Sequence, residues 1–228
     1  MAGKITLYMG NRSYSSWSLR AWWALKMASV EFDEVMVPLV GAGGTEERKQ
    51  WTGLQEYSPA AKVPVLDDNG LLVWDSLAIM EYVAERYSPD VWPNDAAARA
   101  VARAVVADIH GGVPGLGTQV CFNCRREPIR MTPTVDAQRD IDRLCRVWNY
   151  AMERYSPAGS DGFLFGKLSL ADVAASPILL ILHGYGFDLP DKLAAYQQCV
   201  ITHPAVQEWV EASKKESWVI EPYERIGA

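Results

Sequence analysis

The chain changes character once, and the break is abrupt. Up to Trp74 it carries short apolar runs of strand type; beyond Ser88-Pro89-Asp90-Val91-Trp92-Pro93-Asn94 it carries only helix-type runs. Proline fixes φ and removes a backbone donor, so Pro89 and Pro93 end whatever element precedes them. A chain of 228 residues divided this way is expected to hold an α/β unit over residues 1–88 and an all-helical unit over residues 95–228.

In the first unit, Ile5, Leu7 and Met9 alternate with Thr6 and Tyr8, which is the period of a strand. Leu19–Met27 reads as a helix and Phe32–Leu39 as a second strand, which together predict a right-handed βαβ unit with parallel strands. Gly41-Ala42-Gly43-Gly44 reads as a loop and Thr45–Gln50 as a short polar helix. Pro64 stands directly before the apolar pair Val65-Leu66, at a strand start where a missing N–H is tolerated. Asp67-Asp68-Asn69-Gly70 is a hairpin turn signal, and Leu71–Trp74 is the returning strand. Asp75 then caps a helix that runs to about Tyr87.

The second unit predicts a helix from Asp95 to about His110, bent or stopped by the glycines and Pro114 of Gly111–Gly117. Thr134–Tyr155 carries a helical apolar stripe. Ser169-Leu170-Ala171-Asp172 is a capping box, with Asp in place of Glu, ahead of an apolar helix. Asp191–Val200 and Pro204–Lys214 follow as helices, and Trp218–Ala228 reads as irregular coil.

The net charge of −6 argues against a nucleic-acid partner. No apolar run approaches the ~20 residues of a membrane span, and Met1-Ala2-Gly3-Lys4 lacks a signal-peptide shape, so a cytoplasmic location is expected. Cys121-Phe122-Asn123-Cys124 spells C-x-x-C but has no second ligand pair, so no metal site is expected there.

Arg12-Ser13-Tyr14-Ser15-Ser16-Trp17-Ser18-Leu19-Arg20 lies where the first strand gives way to the first helix. Backbone N–H groups there are unpaired and the helix dipole is positive. A hydroxyl at that place either caps the helix or donates to an anion held before it. The residues alone leave both readings open.

Three segments carry a resemblance to the cytosolic glutathione transferases over nearly the whole chain. Ser58-Pro59-Ala60-Ala61-Lys62-Val63-Pro64-Val65-Leu66 is similar to the family's N-P-x-G-K-V-P-x-L. Asp75-Ser76-Leu77-Ala78-Ile79 is similar to its E/Q-S-x-A-I, and Phe165–Asp172 to the capping box of its buried helix. The resemblance implies a thioredoxin-like α/β domain followed by an all-α domain, the glutathione transferase fold, with Pro64 cis and commonly a homodimer. Ser13–Arg20 is similar to the zeta-class S-S-C-S-x-R-x-R, with Ser13 at its first Ser and Ser15 at its Cys. Ala107–Gly112 resembles a bacterial zeta-like group, although Gly117 stands at that group's Arg position while Asn123 and Arg125 or Arg126 remain.

For function, the resemblance implies glutathione as co-substrate, no metal, and addition of its thiolate to a small electrophile. Glutathione-dependent isomerisation of the maleylacetoacetate isomerase type and a non-catalytic binding module are the alternatives. Ser15 is the first choice as thiol donor, with Ser13 and Ser16 as its alternatives. Val63, before Pro64, offers backbone pairing; Lys62, with Gln50 as a weaker choice, suits the glycyl carboxylate. Asp75 and Ser76 suit the γ-glutamyl amine and carboxylate. The electrophile pocket is expected between the two units, lined by Trp17, His110 and the Gly111–Gly117 bend.

Overall fold

The structure, a computed structural model, describes residues 5–39 and 52–227. The expected Gly41–Gly44 loop and Thr45–Gln50 helix, and with them Gln50, lie outside the described residues. The first half comprises β1 (Ile5–Met9), α1 (Ser16–Met27), β2 (Asp33–Met36), a 3-10 turn (Thr52–Glu56), β3 (Val65–Asp68), β4 (Leu71–Trp74) and α2 (Ser76–Arg86). The four strands form one mixed sheet in the order β2-β1-β3-β4. β1 runs parallel to β2, with Leu7 opposite Glu34, and antiparallel to β3, with Leu7 opposite Leu66. The parallel βαβ unit through α1 thus forms as the pattern predicts. The β3–β4 hairpin turns at Asn69 and Gly70, both with positive φ (56° and 92°), as a tight two-residue turn requires.

Two boundaries differ from the sequence reading. α1 begins at Ser16 rather than Leu19, because Ser15 caps it by accepting from the Ser18 N–H at 3.3 Å. β2 covers Asp33–Met36 rather than Phe32–Leu39, and its pairing with β1 ends with Val37 N–H donating to Met9 C=O at 2.7 Å. Pro38 has no N–H to continue the ladder.

A 3-10 turn (Pro89–Val91) precedes the helical half: α3 (Ala96–His110), α4 (Pro114–Gln119), α5 (Val135–Tyr155), α6 (Leu170–Gly184), α7 (Asp191–Ile201), α8 (Pro204–Ser213) and α9 (Glu221–Glu224). Asp95 and Thr134 cap α3 and α5 through the N–H groups of Ala98 and Ala137. α3 stops at His110 because the chain passes through Gly112 at φ 106°, a left-handed conformation that ends a helix. α6 is apolar nearly all round and lies buried against α1, α3 and α7. Its first turn is tied down by the buried Asp172. One carboxylate oxygen accepts from Ser169 N–H and Ser169 Oγ, both at 2.9 Å, and the other accepts from Leu164 N–H at 3.1 Å.

The tail departs most from expectation. Instead of irregular coil, residues 221–224 form the helical turn α9, folded back on the serine stretch. Ile220 N–H donates to the Tyr14 hydroxyl at 3.2 Å, and Tyr14 donates in turn to Glu224. Among the described residues no helix is long and apolar enough to cross a membrane.

Candidate active site

The serine stretch is held from both halves of the molecule. Trp209 on α8 donates its indole N–H to Arg12 C=O at 3.0 Å, and Cys124 N–H donates to Ser13 C=O at 3.1 Å. Glu216 accepts from Arg12 N–H at 2.8 Å and from both Ser13 N–H and Ser13 Oγ at 3.1 Å. Ser13 is therefore fully buried, with its hydroxyl turned to the tail and away from the open cavities beside α1. That orientation does not suit the thiol-donor role weighed for Ser13. Ser15 instead stands at the N-cap of α1, and its Oγ donates to Ser18 Oγ at 2.8 Å. Ser18 Oγ also accepts from Gly10 N–H at 3.0 Å, so the cap is braced from β1. Ser16, the first residue of α1, has no hydrogen-bond partner for its hydroxyl among the described residues.

Two cavities open beside this helix end. One, of about 490 Å³, is walled by Ser15 and Ser16, by Lys62 and Val63, by the apolar Val120, Phe122 and Ile181, and by Tyr14, Cys121 and Tyr223. The other, of about 440 Å³, is walled by Pro64, Trp74, Asp75, Ser76 and His110. Trp17, Lys62 and Val63 line both, so the two form one trough along the cis Val63–Pro64 bond. Val63 has neither its N–H nor its C=O in a hydrogen bond with another described residue. The buried Ser76 hydroxyl is likewise unpaired. Unmet buried polar groups cost ~1–3 kcal/mol each, so at the floor of a trough they mark places for a polar ligand.

Asp75 sits at φ 74°, a left-handed conformation that costs a non-glycine residue about 1–3 kcal/mol. One carboxylate oxygen caps α2 through Leu77 N–H at 2.8 Å. The other stands 3.4 Å from His110 Nε2. His110 accordingly lines the Asp75 end of the trough and not the cavity at Ser15. Of the Gly111–Gly117 bend, Gly117 alone reaches the Ser15 cavity among the described residues. Trp17 lines both cavities.

One buried charge was not assigned a role from sequence. Arg20 is buried under Trp17, with its guanidinium 4.3 Å from the ring centroid, and donates Nε–H to Ala174 C=O at 3.0 Å. Burial lowers its pKa to about 10 while Asp75 opposes the fall, so it stays charged at neutral pH. A cation is thus fixed against Trp17, near enough to Asp75 to feel its charge. The signal for it was an Arg inside an otherwise apolar helix face, Leu19–Leu25.

The C-x-x-C pair has no thiolate character. Burial pushes Cys124 up to about 12, and its Sγ donates to Arg12 C=O at 3.3 Å. Burial raises Cys121 as well. Among the described residues no group of side chains could hold a metal ion. A recess of about 680 Å³ between Trp92, Tyr155 and Phe165 contains none of the candidate site residues.

Residues 14–86, which carry Ser15, Lys62, Val63, Pro64, Asp75 and Ser76, match the N-terminal domain family of the glutathione S-transferases. The chain is 36% identical over 207 residues to a maleylacetoacetate isomerase of Pseudomonas aeruginosa, covering 89% of this chain and 93% of that one. It is 35% identical over 116 residues to the maleylacetoacetate isomerase of Mus musculus, and there the match spans 50% of this chain and 51% of the mouse protein. The chain therefore spans about half the length of several curated relatives it matches. Among solved structures, a glutathione transferase homolog from Burkholderia with bound glutathione superposes with a TM-score of 0.68 at 26% identity, over 93% of this chain and 100% of that one. A theta-class glutathione S-transferase of Xanthomonas axonopodis with glutathione bound shares the fold at a TM-score of 0.63 and 21% identity, over 91% and 97% of the two chains. A trough at a helix N-terminus, lined from both halves of a mixed-sheet and helical chain, and a relative matched along nearly its whole length lead to one conclusion: the chain belongs to the cytosolic glutathione S-transferase family.

Proposed function

We propose that the protein is a glutathione transferase that binds glutathione along the trough and adds its thiolate to a small electrophile. The observation that carries this reading is the set of unmet polar groups. The Ser16 hydroxyl lines one of the two joined cavities, the Ser76 hydroxyl lines the other, and the Val63 backbone and exposed Lys62 line both. An extended tripeptide can meet all four. Its γ-glutamyl amine pairs with Asp75 and its α-carboxylate takes Ser76 Oγ at the start of α2. Its backbone pairs with Val63 in strand-like fashion. Its glycyl carboxylate takes Lys62.

The cysteinyl sulfur then lies at the N-terminus of α1. A free thiol titrates near 8.5, and bringing it to about 7 requires about 2 kcal/mol in favour of the thiolate. A charge-assisted hydrogen bond from a hydroxyl together with the positive helix end supplies that amount. Ser15 is the donor in this account. Rotation about its Cβ–Oγ bond swings its proton from Ser18 Oγ to the sulfur without moving a heavy atom, and Ser18 Oγ keeps the Gly10 N–H. Ser16 stands beside it as a second donor. The cytoplasmic location and the homodimer implied by the resemblance belong to the same reading.

The test is calorimetric binding of glutathione beside cysteinylglycine, which lacks the γ-glutamyl unit, together with conjugation of benzyl chloride. Glutathione is expected to bind at least about tenfold tighter, the worth of one charge-assisted contact, and to be conjugated. Equal affinity for both, or no binding, removes the trough from consideration as the glutathione site.

A further inference from the structure

The recess at Trp92, Tyr155 and Phe165 shares no lining residue with the trough. It lies between the start of α3, the end of α5 and the loop that leads into α6. Its volume of about 680 Å³ is within the range of roughly 300–1,000 Å³ that holds drug-sized molecules.

The walls are tied in place by their own hydrogen bonds. Ser156 Oγ and Ser160 Oγ stand 2.9 Å apart, and Ser156 Oγ donates to Phe163 C=O at 3.1 Å. Asp161 N–H donates to Gly166 C=O and Gly166 N–H to Phe163 C=O, both at 3.1 Å. Gly166 sits at φ 83°, and an added Cβ there would meet Pro157 Cδ at 3.1 Å, so this closure of the loop favours glycine. On the facing wall, Arg99 donates to the carbonyls of Pro93 and Asn94 at 2.9 and 2.8 Å.

The recess is aromatic inside and acidic at its rim. Trp92 and Phe165 are buried and Tyr155 is half-buried, whereas Asp90, Asp95 and Asp161 are exposed. Asp95 spends one oxygen on capping α3 through Ala98 N–H at 2.8 Å. The carboxylates of Asp90 and Asp161 bond no described residue. Lys167 is the one cation among the lining residues, so three carboxylates face one ammonium. The nearby arginines are spent elsewhere. Arg99 holds the two carbonyls, and Arg103 pairs with Glu81 at 3.0 and 3.1 Å while lying 5.4 Å from the Trp92 ring centroid. Helix ends add no free positive pole, because Asp95 caps α3 and Asp172 accepts from Ser169 N–H at the start of α6. Arg103 takes one face of Trp92, which leaves Tyr155 and Phe165 as the rings open to a cation. Trp92 is 3% exposed, and its indole N–H bonds no described residue. An unmet donor at a cavity wall gains a hydrogen bond from a ligand oxygen.

The geometry points to a second ligand site, separate from the glutathione trough, that takes organic cations: a quaternary or protonated amine on a flat aromatic body that carries an oxygen acceptor. The flat body packs against Tyr155 and Phe165, whose ring faces attract its charge. Asp90 and Asp161 attract the same charge from the rim. Organic anions of equal size are disfavoured, because they would lose water to enter an aromatic recess ringed by carboxylates. The site is independent of the transferase reading and involves no covalent step.

The test is a fluorescence titration of the full chain with berberine, a flat quaternary aromatic cation with ring oxygens that brightens on leaving water. Saturating S-hexylglutathione fills the trough throughout, and 1-anilinonaphthalene-8-sulfonate is the anionic counterpart. Berberine should bind in the micromolar range, with a Kd within about twofold whether or not S-hexylglutathione is present, and at least about tenfold tighter than the anion. The double variant Asp90→Asn/Asp161→Asn should raise the berberine Kd about fivefold to tenfold. Lys167→Glu should lower it about threefold, a gain that a merely damaged fold would not give. Both variants alter exposed side chains and should leave glutathione affinity within about twofold of wild type. Absence of berberine binding, its displacement by S-hexylglutathione, a Kd that neither variant moves, or tighter binding of the anion overturns the inference. None of these results bears on glutathione binding, which calorimetry reads separately.

Discussion

Ser13 and Ser15 differ by two positions in the chain and by everything in their surroundings. Ser13 Oγ and N–H both meet Glu216, 203 residues further on, and Oγ also reaches Ser213 C=O at 3.2 Å. No local pattern announces a partner so distant, so the serines were indistinguishable by spacing and separable only by tertiary contact. Ser13→Ala is expected to lower unfolding stability by about 1–2 kcal/mol, because Glu216 loses a donor in a half-buried place. The same variant should leave the bound thiol's titration unchanged, which chemical denaturation and a thiolate titration together would check. The Asp75 prediction belongs to this scale too. Asp75→Asn keeps the cap on Leu77 N–H but removes the charge facing the γ-glutamyl ammonium. The Kd for glutathione should rise by about tenfold to a hundredfold, measured by calorimetry. A Kd within about twofold of wild type would mean the ammonium is held by another group. His110 stood out in the sequence as a candidate, but not as Asp75's neighbour. Its placement depends on where α3 ends relative to α2, which a single sequence does not specify.

At the scale of elements, caps and turns carried most of the legible signal. Asp75, Asp95, Thr134 and the Asn69-Gly70 turn all stand where side-chain chemistry required them. The tail was misread because α9 is only four residues long and has no periodicity to detect; its position comes from contacts of Tyr14, Arg125 and Glu224 across about a hundred residues or more. The start of α6 yields a pH prediction. Burial raises Asp172 to about 6 against an ordinary 3.8, despite its three donors. Between those values the folded state holds a proton that the unfolded chain has released, so stability falls as pH rises through that window. The change amounts to about 3 kcal/mol and is complete above the folded pKa. Urea midpoints measured from about pH 4 to 7 should show this fall in the wild type, and Asp172→Asn should flatten it. A wild-type profile already flat over that range would show that the three hydrogen bonds cancel the cost of burial.

Across the whole molecule the site is a joint product of its halves. The sheet-bearing half contributes Ser15, Ser16, Lys62, Val63, Asp75 and Ser76. The helical half closes the trough with His110, Phe122, Ile181 and Tyr223, and clamps the serine stretch with Trp209 and Glu216. Arg20 links the two directly, reaching from α1 to Ala174 on α6. The fold was legible because a βαβαββα pattern followed by helices has few packings that bury both faces of the sheet and the apolar α6. The inter-half geometry was not, since it rests on single side chains reaching across the interface. The central claim is that Ser15 and the α1 N-terminus hold glutathione as a thiolate. It is tested most directly by the ultraviolet thiolate absorbance of protein-bound glutathione, titrated from about pH 5 to 9 in wild type and in Ser15→Ala. The account predicts a bound thiol pKa about one to two units below the ordinary 8.5, returning most of the way in the variant. A bound thiol that titrates at its ordinary value in the wild type, or a lowered value that Ser15→Ala leaves untouched, would contradict it.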